Sequence, residues 1–157
     1  MPELFQFDLI EAEEKNQSSL ETKFSQQREK WTQQVTFLSS KLKTLGEIAT
    51  LMTTLYTERQ QAVEYYHYLL SLMIKLNKEY NAKYAERQDY YTNKVQVRYP
   101  NESVKHNRIM VDLADLVDKR STIENHSKFM NQTISSIDAI IYAVPKRIEV
   151  EQIVRGK

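Results

Sequence analysis

Cysteine is absent from this chain of 157 residues. That excludes disulfide bridges, thiolate nucleophiles and cysteine-bound zinc, and it is compatible with a reducing cytoplasm. Glycine occurs only at Gly46 and Gly156, and proline only at Pro2, Pro100 and Pro145. Sheets joined by tight turns need many more such residues, so an all-β or α/β fold is excluded and helix is the expected state. Two glycines also leave no loop that could cradle a nucleotide phosphate. No apolar run is long enough to cross a bilayer, so no membrane partner is expected. Residues 1–10 carry Glu3 and Asp8 and no cation, unlike the start of a secretory leader. An excess of either charge is missing as well, because the chain sums to +1.

What remains is rich in Glu, Lys, Gln, Leu and Tyr, with a clear apolar period. From Trp31 a four-three alternation visits Val35, Leu38, Leu42, Leu45, Ala49, Met52, Tyr56, Arg59, Val63, Tyr66, Leu70, Met73, Asn77, Tyr80, Tyr84, Arg87 and Tyr91. Such a heptad seam predicts coiled-coil-like packing at small crossing angles. A straight helix of this reach would be ~100 Å long, and Gly46 or the Ser/Thr-rich turns near it are places to bend or break it. Asn93 tolerates left-handed backbone and reads as the stop. Val95–Tyr99 alternates apolar and polar before Pro100, and Asn101 or Ser103 offers a cap. A second seam then runs Ile109, Leu113, Leu116, Arg120, Ile123, Ser127, Met130, Ile134, Ile137, Ile141 and Val144, until Pro145 ends or kinks it.

The expected organisation is therefore an acidic arm or first helix over 1–22 and a long, breakable helix over 23–93. A connector over 94–104, a second long helix over 105–144 and a short last helix over 145–157 follow. Together they make an all-α helical hairpin. Apolar residues also lie off both seams, at Ile48, Leu51, Leu55, Leu69, Leu72, Leu76, Ile140 and Ile148. One partner helix cannot cover that much surface, which points to a homo-oligomer.

Charge is unevenly spread. Residues 1–22 sum to −5, residues 75–108 to +4 and residues 119–157 to +3. In the first basic zone Lys83, Arg87, Tyr90 and Lys94 are spaced four, three and four apart, which sets them on one stripe of a helix. Tyr91 stands beside it, and Arg98, Lys105 and Arg108 extend the charge across the connector. Cations interleaved with rings suit single-stranded nucleic acid, whose phosphates attract the former and whose bases stack on the latter. A plainer account pairs Glu79 with Lys83 and puts the tyrosines in the helix core. The start of the chain, Glu3-Leu4-Phe5-Gln6-Phe7-Asp8-Leu9-Ile10, reads as a frayed helix, or as an acidic segment able to cover a basic groove.

No catalytic constellation stands out. His67, His106 and His126 lack the spacing of a metal site and read as helix-surface or hairpin residues. Neither a metal, a cofactor nor an enzymatic activity is expected.

Glu86-Arg87-Gln88-Asp89-Tyr90-Tyr91-Thr92-Asn93-Lys94 resembles a motif of the UvsY-like recombination mediators of tailed phages, in which a glycine usually stands where this chain has Asn93. The order of parts agrees too: helix, motif, proline-bearing connector, a stretch with Asp112 and Asp115, then a long helix and a closing segment over Ile140–Gly156. The likeness covers about residues 76–157. It implies a non-enzymatic protein of the host-cell cytoplasm that acts in DNA recombination and repair. Such a protein would form a ring or open barrel, bind single-stranded DNA and help a RecA-class recombinase replace the single-strand-binding protein. Arg87 is the DNA contact that the motif implies, and Lys83, Tyr90 and Lys94 join it by geometry. The C-terminal helices would supply the oligomer contacts, with Ile134, Ile137, Ile141 and Ile148 on them. The competing expectation is a structural coiled-coil adaptor or phage assembly protein without nucleic-acid binding.

Overall fold

A computed structural model of the chain describes residues 17–95, 99 and 101–156. Among these residues there is no strand, and the fold is all-α. Helix α1 is Gln17–Lys41, α2 is Ile48–Asp89, α3 is Glu102–Asp112 and α4 is Ala114–Arg155. Of the expected arm or first helix over 1–22, residues 1–16 lie outside the described residues, as does Arg98, while residues 17–22 begin α1.

The first rod does break where its glycine and hydroxyl residues cluster. Leu42, Lys43 and Thr44 bond back three residues, to Ser39, Ser40 and Lys41, tightening the last turn of α1. A 3₁₀ turn over Leu45–Glu47 then reverses the chain, and Lys41 pairs with Glu47 across it at 3.1 Å. Partner residues fix the directions of the helices. Gln27 of α1 meets Tyr65 of α2, and Gln34 meets Glu58, so these two run antiparallel. Arg59 meets Asp138 and Tyr65 meets His126, so α2 and α4 are antiparallel as well. The result is a three-helix body, with the two 42-residue helices at its centre.

The period of the first seam is right and its phase is wrong. The buried positions of α2 are Ile48, Leu51, Leu55, Glu58, Ala62, Tyr65, Leu69, Leu72 and Leu76, again spaced by three and four. Each lies one residue before a seam position expected from Trp31. Counting residues through the turn carried the wrong angle into α2, because Leu42–Glu47 is not α-helical. In α4 the register agrees: Ile123, Ser127, Met130, Ile137 and Val144 are all buried.

Three boundaries also differ from expectation. Asn93 does not stop α2 by turning left-handed, since no described residue other than glycine has positive φ. Its amide donates to Asp89 Oδ1 at 2.7 Å, and Tyr90–Lys94 continues as one π-helical turn before Val95 becomes extended. The second rod starts earlier, capped by Asn101, whose side chain accepts from Val104 N at 2.8 Å, and it breaks at Leu113. Pro145 neither ends nor interrupts α4, so residues 145–155 are its last turns rather than a separate helix. The proline is exposed, which leaves the carbonyl that loses its donor able to face solvent, while Val144 on the buried side keeps the helix docked.

Leu20, in the first turn of α1, packs near Leu72, Leu76 and Ile123. Beyond that level a second, tyrosine-rich cluster takes over: Tyr91, Ile109 and Leu113 are buried, with Tyr80, Tyr84, Val95 and Tyr99 against them. Leu116 belongs to both clusters.

His126 and Glu58 are two of the four polar residues buried among the described residues. His126, expected at a surface, is fully buried between Phe24, stacked at 4.0 Å, and Phe129 at 6.2 Å. Its Nε2 lies 3.0 Å from Gln27 Oε1 and 3.2 Å from the Tyr65 hydroxyl, which itself donates to Gln27 at 2.5 Å. Burial, with Arg28 nearby, pushes its pKa down to about 3. Glu58, in the same core, is raised by burial and accepts from Gln34 at 3.4 Å.

An unfolded histidine titrates near pH ~6.5, so between that value and about 3 the unfolded chain binds a proton that the native chain refuses. Stability should therefore be lost as pH falls through this window, by up to ~1.4 kcal/mol per pH unit from this residue. Glu58 works in the opposite sense, losing stability as pH rises through its raised native pKa. Urea midpoints measured from pH ~7 to ~4 should separate the two: His126→Leu, which leaves the Tyr65–Gln27 bond in place, should flatten the acid limb relative to the unsubstituted chain.

Candidate nucleic-acid interface

The stripe identified in the sequence ends α2 at the tip of the molecule, beyond the described part of α1. α3 packs against α2 there. Its Lys105 and Asp112 meet Thr92 and Tyr91, while His106 and Met110 meet Tyr84 and Tyr80. Two sides of one short helix thus grip two levels of α2, and the break at Leu113 turns the chain back along the body as α4.

The residues proposed to contact nucleic acid divide into two groups. Lys83, Arg87, Tyr90 and Lys94 keep much of their surface: the Lys83 side chain is 51% exposed and that of Lys94 is 66% exposed. The Arg87 guanidinium stands 5.8 Å from the centre of the Tyr90 ring, so cation and ring form one platform. Tyr91 and Lys105 are instead committed to the fold. Tyr91 is 8% exposed, sits edge-on to Tyr90 and Tyr99, and donates to Asp112 Oδ2 at 2.5 Å. That acceptor, followed by burial, raises its pKa. Lys105 bonds to Thr92 Oγ1 at 3.1 Å and Glu102 at 2.9 Å, with only 12% of its side chain exposed. Neither offers a surface to a base or a phosphate. Arg108 is exposed, and its charge lies against the Tyr91 hydroxyl and Asp112.

Every cation of the stripe has an acid in reach. Lys83 pairs with Glu79 at 3.1 Å, Arg87 with Asp112 at 3.8 Å and Lys94 with Asp89 at 3.4 Å. Asn93 and Lys94 together hold the Asp89 carboxyl below its ordinary pKa. The plainer account of Glu79 and Lys83 is thus realised, and so is the packing of Tyr80, Tyr84 and Tyr91. Exposed pairs of this kind contribute only ~0–1 kcal/mol each, so an incoming phosphate can exchange for the carboxylate at small cost.

Asp112 was missed as a structural centre. It accepts from Tyr91 and faces Arg87 and Arg108, and nothing in its own neighbourhood along the chain announces that. Among the described residues no group of three or more His, Asp or Glu side chains could hold a metal, and no helix is long and apolar enough to cross a membrane. Of the expected oligomer contacts, Ile137 lies at 0% exposure inside the chain's own core, whereas Ile134, Ile141 and Ile148 are half-buried at its edge.

Tyr91→Phe keeps the ring and removes the bond to a charged acceptor. It should lower unfolding stability by ~1.5–3 kcal/mol in urea titrations while leaving affinity for a thymidine oligonucleotide unchanged. A loss of binding with no loss of stability would return Tyr91 to the interface.

Compared with protein-family models, with curated proteins and with solved structures, the chain matches none of them.

Proposed function

We propose that this protein binds single-stranded DNA as an accessory factor in recombination, easing the exchange of a single-strand-binding protein for a RecA-class recombinase. The observation that carries the binding is the exposed end of α2 and the turn after it, where the Arg87 guanidinium stacks beside the Tyr90 ring and Lys83 and Lys94 keep half or more of their side chains exposed. Cations along a helix follow a phosphate backbone, and a half-exposed ring accepts any base face, so the recognition would be indifferent to sequence. The recombination role itself rests on the likeness of residues 86–94 to the phage mediators.

One platform is small, and its charges are already compensated. The reading therefore includes a homo-oligomer, ring or otherwise, in which one strand crosses several platforms and effective concentration raises avidity. Arg108 borders the platform, while Arg98 falls outside the described residues. The same pairing of cations with acids supports a second reading, a structural coiled-coil adaptor or phage assembly protein whose tip is ordinary solvated surface.

A salt series on oligo-thymidine and on duplex separates the readings. The mediator should prefer the single strand, with log affinity falling against log salt at a slope near −0.7 per phosphate neutralised. Lys83→Ala combined with Arg87→Ala should reduce that slope by roughly 1 to 2 units, and Tyr90→Ala should weaken binding by ~1–3 kcal/mol without altering the slope. An unsubstituted protein with no measurable binding at low salt would leave the adaptor.

A further inference from the structure

Helix α1 covers one side of the α2–α4 pair and leaves the other open. Its side chains reach Glu58 and Tyr65 on α2 and His126 on α4. The residues that follow Glu58 and Tyr65 lie ~100° further round α2, facing away from α1. There Met52, Tyr66 and Met73 of α2 and Ile134, Ile141 and Ile148 of α4 are half-buried against the core from one side only. This second groove runs ~31 Å along α2 from Met52 to Met73, at 1.5 Å per residue.

A groove between two packed helices is the seat a further helix takes in a four-helix arrangement. About a third of the way along from Met52 it carries one pair of opposite charges, Arg59 and Asp138, bonded at 2.6 Å with 39% and 38% of their side chains still exposed. Near them along the chain stand Tyr56 and Tyr142, 57% and 77% exposed although both are large aromatics. A cation and an acid placed side by side within an apolar strip are complementary to the same pair turned by a two-fold axis.

We infer that the groove is a self-association face, on which a second copy of this chain lies with its own α2–α4 groove antiparallel to the first. The axis passes by the ion pair, so Arg59 of each copy approaches Asp138 of the other while the tyrosines close over the rim. This supplies the oligomer that the mediator reading calls for, but it rests on the groove alone. An isologous contact of this kind closes as a dimer, and any ring would need a different second face.

The test is the mass of the full chain in solution without nucleic acid, by sedimentation equilibrium. The unsubstituted protein should sediment at twice 18.6 kDa or a higher even multiple. Arg59→Asp places only acids at the charged point of each groove, and Asp138→Arg only cations. Each alone should raise the dissociation constant more than ~10-fold through like-charge contact across the axis, and an equimolar mixture of the two should recover association. Tyr56→Glu combined with Tyr142→Glu changes only exposed side chains, so it tests the face even if the charge variants misfold. It should give the monomer with an unchanged helical circular dichroism spectrum. A monomeric unsubstituted protein would overturn the inference. So would association that survives the tyrosine substitutions, or that is lost instead on removing residues 1–16. None of these variants touches the tip, so a protein that associates as expected but binds no oligonucleotide would sink the mediator reading and leave this inference standing.

Discussion

The axial register of α2 against α4 decides what this molecule can present. It is pinned by two polar contacts between them, Arg59 with Asp138 and Tyr65 with His126. A slip of one turn would move either pair ~5.4 Å out of reach, and it would strand the buried Tyr65 hydroxyl and His126 ring at a cost of ~1–3 kcal/mol. Gln27 extends the second contact to α1, so one layer of three side chains aligns all three helices of the body. With the register fixed, Leu76 is the last core residue beside the described part of α1, and beyond it the described core is closed by tyrosines, α3 and the start of α4.

That division accounts for the contrast between the two ends of α2. Along the body its buried side chains are chiefly leucines, which pack densely and need no partner. At the tip the described cover is a thin layer of α3 and the first turns of α4, which buries Ile109 and Leu113 against rings from α2. Tyrosine suits such a layer because its ring packs while its hydroxyl reaches a partner at the edge: Met110 for Tyr80, His106 for Tyr84, Asp112 for Tyr91. The crowding of aromatics into this stretch is thus first a consequence of geometry. Tyr90, half-exposed under Arg87, is the ring that such packing does not require.

The helical state, the break after α1, the cap at Asn101 and the register of α4 could all be read from the sequence, since each depends on nearby residues. The phase of α2 could not. Two stripes of this helix are apolar, one led by Leu51, Leu55, Leu69, Leu72 and Leu76, the other by Met52, Tyr66, Leu70 and Met73, and only the angle at which α1 returns chooses between them. The fate of Tyr91 and Lys105 was equally hidden, because their partners come from the far side of the connector or from a packed helix whose direction no local pattern encodes. Pro145 misleads for a different reason: a missing donor breaks a helix only when the freed carbonyl cannot reach water and the flanking residues have nothing to pack against.

Charge pairing at the tip shapes what kind of ligand could be held there. An isolated phosphate gains little by displacing Glu79, Asp112 or Asp89, because it replaces one exposed ion pair with another. A polymer differs, since each contact releases condensed counterions and the chain is already tethered by its neighbours. Compensated cations therefore discriminate against small anions and in favour of long ones. If the tip binds a strand as proposed, they would also make that binding steeply dependent on how many tips the strand can reach, which would couple the tip to the self-association face.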